Sequence, residues 1–391
     1  MRALALVDGE HYAPVVRDAL AALPYDVVAA LLVGGTEKLR GGEDYGVPLV
    51  AALDAVDVDV VLDLSDEPVL APRERLLWAS RALAAGLPYV GADFRFDPPA
   101  LHAVPLPSLA VIGTGKRVGK TAVTCHVAAL IARDRRVVVV SMGRGGPPEP
   151  EILETAPSVA ELVALCRAGR HAASDYLETA AFAGVPTVGC RRAGGGLAGA
   201  TFDSNVLEGA AVAAALHPDL LVFDGSGAAL PPIAADARIL VTNGAHDVRD
   251  GLNAYRVLVS DLVVDTGGAD REAILALKDV PIVAAALRLR PAAPLRGRRT
   301  AVFTTGPAPV DHLDADIVRV SRNLARRDDL RADLEGLDAE VYLVELKAAA
   351  VDVVAEVALA RGVELVLAAN DVVAPGLDER VAALVPAETR A

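Results

Sequence analysis

Residues 111–122 read VIGTGKRVGKTA, an apolar run and a glycine-rich turn that lead into the helix-like TAVTCHVAALIA. That order is what a phosphate-cradling loop requires. Backbone N–H groups of the turn, from Gly113, Thr114, Gly115, Val118 and Gly119, then face a phosphate together with the N-terminus of the helix. Lys120 neutralises the β and γ oxygens of ATP, and the Thr121 hydroxyl can hold Mg²⁺. Gly113 and Gly119 enclose five residues, one more than in the usual loop. Lys116 and Arg117 lie in that gap, so the loop carries more positive charge than a nucleotide alone demands.

A phosphate loop needs a carboxylate for its metal. PDLLVFDGSGAALPP (218–232) offers Asp224 at the end of an apolar strand, with Gly225 and Gly227 leaving room for phosphates. An Asp in this position is also a common helix cap. ILVTNGAHD puts Asn243 just beyond another strand end, where its amide either reads an adenine edge or closes a turn.

Two further glycine-rich segments follow strands and carry arginines. SMGRGGPPEPE (141–151) joins Arg144 to two glycines and to Glu149 and Glu151, and Glu149 is a candidate metal ligand. GCRRAGGGLAG (189–199) places Arg191 and Arg192 before Gly194 and Gly195. Glycines free backbone N–H groups to form an anion nest, and guanidinium forks match phosphate oxygens in pairs. In an open parallel sheet the loops at the carboxyl ends of strands converge on one crevice. These segments therefore predict a second anion site beside the nucleotide, with Lys116, Arg117, Lys120 and Arg144 as the catalytic cations.

The elements that must hold these loops are legible as alternation. Short β-branched runs such as LALVD, DVVAALLV and DVVLDL alternate with helical patterns in the first hundred residues. Seven more follow from SLAVIG to VPIVAAA, and four more after Arg298. Proline-rich stretches at 97–107 and 290–299 divide them. The expectation is an α/β protein: an N-terminal Rossmann-like domain (1–100), a central doubly wound parallel-sheet P-loop domain (107–290) and a small C-terminal α/β segment (298–391). Hydrophobic residues make up 53% of the 391 and aromatics only 4%, so cores of Ala, Val and Leu are expected. The net charge of −14 argues against nucleic acid as partner. No apolar run is long enough to span a membrane, and the early acidic turn in MRALALVDGEHY is unlike a signal peptide. A cytoplasmic protein is expected, with Cys125, Cys166 and Cys190 reduced and buried.

The form Gly-Thr-x-x-x-Val-Gly-Lys-Thr, read at 113–121, resembles the loop of dethiobiotin synthetase and its relatives. DGEHYAPVVRDAL, LLVGGTEKL, GTGKRVGKTAV, MGRGGPPEPE, CRRAGGGLAG and FDGSGAALPP together resemble the cyclic 2,3-diphosphoglycerate synthetase family. The resemblance implies an ATP-dependent ligase that closes 2,3-diphosphoglycerate into a cyclic anhydride, with ADP and phosphate released, in a homodimer. Such a substrate carries about four to five negative charges near neutrality, which gives Lys116 and Arg117 a purpose. It also implies that the strand-end stretch with Asp8, Glu10 and His11, and the nearby Lys38, shapes the substrate cleft; helix capping by the two carboxylates is the alternative reading. A dethiobiotin-synthetase-like ligase or a small-molecule kinase would explain the loop without the clustered arginines. An ATP-driven switch or metal-delivery ATPase would call for Cys-x-x-Cys ligands that this sequence lacks.

Overall fold

The alternating runs form three sheets with helices packed on them, an α/β fold. The computed structural model describes residues 1–386 apart from Pro68. One sheet of six strands lies between Arg2 and Phe96, one of nine between Ser108 and Ala284, and one of five between Ala286 and Val373. Packing groups them into two compact units. The first is Met1–Ala100 with Asp247–Val259 and Asp270–Asp279; the second is Leu101–His246, Ser260–Ala269 and the described residues from Val280 onward.

In the first unit the strand Arg2–Val7 lies between the parallel strands Asp26–Leu32 and Val60–Asp63. Ala3 to Val7 are fully buried, as expected of a strand covered on both faces. Asp8 follows directly at its carboxyl end. Within the same unit the helix Asn253–Leu258 packs on the helix Pro72–Ala84.

The second unit holds the phosphate loop. Its central strand, Ser108–Gly113, pairs in parallel with Leu220–Asp224 on one side and Ala237–Thr242 on the other. Parallel pairing brings the carboxyl ends of all three together, so Gly113, Asp224 and Thr242 share one edge. Along the central strand Leu109 and Val111 pack with Val123 and Val127 of the loop helix, Lys120–Ile131, while Ala110 and Ile112 on the opposite face are also buried. Both faces are covered, which is the double winding the apolar runs predict. All seven expected central strands are present, joined by the short antiparallel additions Glu151–Leu153 and Asp203–Ser204.

Three expectations are corrected. The stretch 290–299 is not simply a linker, because Ala286–Pro291 is a strand antiparallel to Glu364–Val373. It forms the edge of its sheet, where Pro291 costs no ladder bond. The run AAAVDVVAEVALARG (348–362), whose spacing predicts a helix, opens as a π-helix, Ala350–Ala355, and only then becomes the α-helix Glu356–Arg361. The widened turn accommodates the consecutive buried residues Val353, Val354 and Ala355. Of the cysteines only Cys190 is buried; Cys125 and Cys166 are half-buried, and all three are free thiols.

Candidate active site

Two residues of the phosphate loop have left-handed backbones. Gly119, at φ 86°, precedes the first helical residue, a conformation open to glycine at no steric cost. Arg117 adopts φ 62°, which is uncommon for a side-chain-bearing residue and marks local strain. The loop is braced from outside: Thr266 Oγ1 donates to Val118 O at 2.7 Å and Asn243 Nδ2 to Arg117 O at 3.3 Å. Thr114 N donates to Val241 O at 3.2 Å, and its hydroxyl lies 3.0 Å from that of Thr242. With the Arg117 and Val118 carbonyls engaged, the loop's other N–H groups are what it can offer an incoming anion; that of Thr114, expected among them, is already bonded to the neighbouring strand. Asn243 also accepts from Ala245 N at 3.1 Å, so its amide serves the loop and its own turn.

Lys120 Nζ donates to Asp224 Oδ1 at 2.6 Å, and Thr124 Oγ1 donates to the same oxygen at 2.8 Å. Burial pushes the Asp224 carboxyl above its usual range, against the pull of Lys120. Its other oxygen, Oδ2, is buried without a hydrogen-bond partner among the described residues. An orphaned carboxylate oxygen beside a phosphate loop fits a cation. No group of three or more His, Cys, Asp or Glu side chains among the described residues could hold a metal alone. A magnesium ion here would depend on Asp224, Thr121, water and phosphate oxygens, which is how that ion is usually bound. The expected third ligand does not join them: Glu149 is exposed and lines neither cavity of the site.

The turn after Asp224 is where cations meet. Gly227 has φ 59°, and a Cβ built on it would stand 3.0 Å from Arg144 Nη2, 3.7 Å from Lys116 Cγ and 3.8 Å from Arg192 Nη2. Arg192 is buried, donating Nη2 to Ser226 O at 2.9 Å and Nη1 to Gly194 O. Its Nε is buried with no partner among the described residues. Burial, and then repulsion from Arg144, lowers the Arg192 pKa. Each of these facts favours an anion at this place. Neighbouring residues of a strand face opposite ways, and Arg191 is accordingly exposed; its backbone N–H donates to Asn205 Oδ1 at 2.7 Å and its carbonyl accepts from Asn205 N at 3.3 Å.

Two cavities adjoin. One, of about 520 Å³, is lined by Arg144, Arg192, Gly194, Gly195 and Ala228 among others. The other, of about 600 Å³, has the loop from Gly115 to Thr121 on one wall. Arg144 lines both. The larger cavity also contains Asp175, Glu178, Thr305, Glu345, Lys347 and Asn370, which the sequence did not single out. The one signal available for them was position, since Glu345 ends the strand Val341–Glu345 just as Asp224 ends its own.

Asp8, Glu10 and His11 belong to the first unit and brace its edge. Asp8 is fully buried, accepting from Glu10 N at 3.0 Å, from Asp66 N at 2.7 Å and from His11 Nδ1 at 2.7 Å. Burial pushes its carboxyl up, but the Asp66 N–H, His11 and the Glu10 N–H together hold it below its usual value. Glu10 Oε1 accepts from Glu37 N at 3.4 Å, and Lys38 pairs with Glu37.

Profiles for the P-loop, N-terminal and C-terminal domains of cyclic 2,3-diphosphoglycerate synthetase match residues 108–283, 2–97 and 291–371. The chain belongs to the cyclic 2,3-diphosphoglycerate synthetase family. Relatives of that name include a protein of Rubrobacter xylanophilus, 50% identical over 97% of this chain and 96% of its own. Those of Thermococcus kodakarensis and Methanothermus fervidus are 40% and 38% identical, each over 94% of this chain and over 93% and 92% of their own. As a cyclic 2,3-diphosphoglycerate synthetase family member, the chain is an enzyme with a P-loop nucleotide-binding domain. No helix among its described residues is long and apolar enough to cross a membrane.

Proposed function

We propose that this enzyme uses ATP to close 2,3-diphosphoglycerate into its cyclic anhydride, releasing ADP and phosphate through a phosphorylated intermediate. The observation that carries the reading is the gathering of Lys116, Arg144 and Arg192 around Gly227, three residues beyond the Asp224 that pairs with Lys120. A nucleotide occupies one cation cluster, and a second polyanion needs another.

In this reading Lys120 neutralises the γ-phosphate while a phosphate oxygen of the substrate attacks its phosphorus and ADP leaves. Arg144 and Arg192 hold the second substrate phosphate against the first and screen their repulsion. That second phosphate then attacks the activated phosphorus and expels inorganic phosphate. Both reacting groups sit on one carbon frame, so closure is intramolecular and the protein has only to orient them and exclude water. Thr121 and Asp224 would hold Mg²⁺, which supplies charge neutralisation at the phosphates when bound. Phosphoryl transfer of this kind needs no protein nucleophile.

The test is to incubate the protein with Mg-ATP and 2,3-diphosphoglycerate and examine the products by phosphorus NMR, which should reveal a cyclic anhydride. Substrate labelled with heavy oxygen in its non-bridging phosphate positions should pass one labelled atom to each phosphate released, because the bridging oxygen of the intermediate leaves with it. Solvent oxygen in that phosphate, with none from substrate, would eliminate the scheme. We place the reaction in the cytoplasm, in keeping with the free thiols, and in a homodimer on family resemblance alone; sedimentation of the purified protein tests the second point.

A further inference from the structure

The wall of the larger cavity that faces the phosphate loop comes from distant parts of the second unit. Lys347 stands on it, two residues beyond the strand Val341–Glu345. Its Nζ lies 3.4 Å from Glu178 Oε1 and 3.8 Å from Glu345 Oε1. The two carboxylates are not equivalent. Glu345 is anchored elsewhere, accepting from Asn370 Nδ2 at 2.7 Å and from Thr305 N at 2.8 Å. Glu178 is buried on the helix Asp175–Phe182, and burial pushes its carboxyl up to about 7.

The backbone beside Lys347 is also unusual. Ala348 adopts φ 47°, a left-handed conformation unfavourable for alanine, and the π-helix Ala350–Ala355 begins two residues later. Strained residues and π-turns collect where a side chain must be aimed at a ligand. Here they fix the direction of one ammonium, a third of whose side-chain surface is exposed in the cavity. If Lys347 served only to neutralise buried carboxylates, this exposure and this strain would have no purpose.

We propose that Lys347 is a phosphate-binding residue of the active cavity, held ready by Glu345 and handed from Glu178 to a phosphate oxygen when the cavity fills. The inference deepens the reading above and rests on it for the identity of the phosphates. Glu178 is then a competitor for the lysine in the empty cavity, and Glu345 a permanent positioning partner. The same ammonium could meet the γ-phosphate of ATP or a phosphate of 2,3-diphosphoglycerate. The chemistry is shared, and binding measurements separate the two.

Calorimetry at about pH 8, where the Glu178 carboxyl is charged, with 2,3-diphosphoglycerate and, separately, with a non-hydrolysable ATP analogue on the wild type, Lys347→Met and Glu178→Gln decides the matter. Lys347→Met should weaken one of the two ligands at least about tenfold, and that ligand identifies the source. Glu178→Gln should tighten the same ligand, by roughly threefold or more, because it removes the competing charge. A purely structural ion pair predicts no tightening. If Lys347→Met does not fold, the sign of the Glu178→Gln effect still decides. Unchanged or weaker binding of both ligands by Glu178→Gln would overturn the proposal. Failure of the cyclisation reading has a different signature, namely no cyclic product from the wild type while the ATP analogue still binds and still responds to Lys347.

Discussion

Lys120 and Asp224 lie 104 residues apart and meet at 2.6 Å in a buried pair. The lysine opens the loop helix and the aspartate closes a strand, so the pair ties the start of that helix to the neighbouring strand end. With phosphate present, Lys120 has a second anion to serve, and Asp224 has an oxygen to spare for a cation.

Replacing Lys120 by methionine should lower turnover by at least about 10²-fold with the far-ultraviolet circular dichroism unchanged, because a charge contact to the transferring phosphoryl group is lost while the volume is kept. Near-normal cyclic product from a folded variant would contradict the loop assignment.

Asp224→Asn and Thr121→Val should each raise the Mg²⁺ concentration needed for half-maximal activity, the first more than the second, because only the first removes a charge. A magnesium titration of ATP consumption checks this. An unchanged midpoint in both would remove them as ligands.

Arg192→Ala should weaken 2,3-diphosphoglycerate by roughly 2 kcal/mol, about thirtyfold, as a desolvated charge-assisted contact is lost. Arg191→Ala should change it by less than about threefold, since its side chain lies on the solvent face. Calorimetry on the two variants gives the comparison, and equal losses would refute the division of the strand's faces.

Glu178 predicts a pH dependence of stability. Its carboxyl rises from the ordinary 4.5 to about 7 in the folded protein, so between those values the folded state keeps a proton that the unfolded chain has released. Stability therefore falls as pH rises through that window, by up to roughly 3 kcal/mol, and levels off above it. The melting temperature of the wild type relative to Glu178→Gln should decline between about pH 5 and 7.5. Parallel curves would show that Glu178 does not titrate there.

What could be read beforehand follows from how local each signal is. The phosphate loop is contiguous, and its strand-turn-helix order is carried by nine adjacent residues, 113–121. Asp224 was legible because a parallel sheet aligns the carboxyl ends of its strands. Arg191 and Arg192 could not be told apart, since which of two neighbours faces inward depends on strand register that only the packed sheet fixes. Glu149 sits close in sequence to Arg144, yet it lines neither cavity while Arg144 lines both; two prolines stand between them. Lys347, Glu345 and Asn370 come from a different sheet, and only the docking of that sheet in the second unit brings them to the loop.

That docking has a consequence for how the enzyme is made. The core holding Val111, Val123 and Val127 of the loop strand and helix is completed by Val372, Leu377 and Val381, some 250 residues later in synthesis. A nascent chain displays its whole nucleotide motif long before it can bury the helix behind it. Until those late side chains emerge, the loop helix retains an uncovered apolar face of the sort that invites chaperone capture or aggregation. The ribosome must therefore deliver Val372, Leu377 and Val381 before ATP can find a finished site.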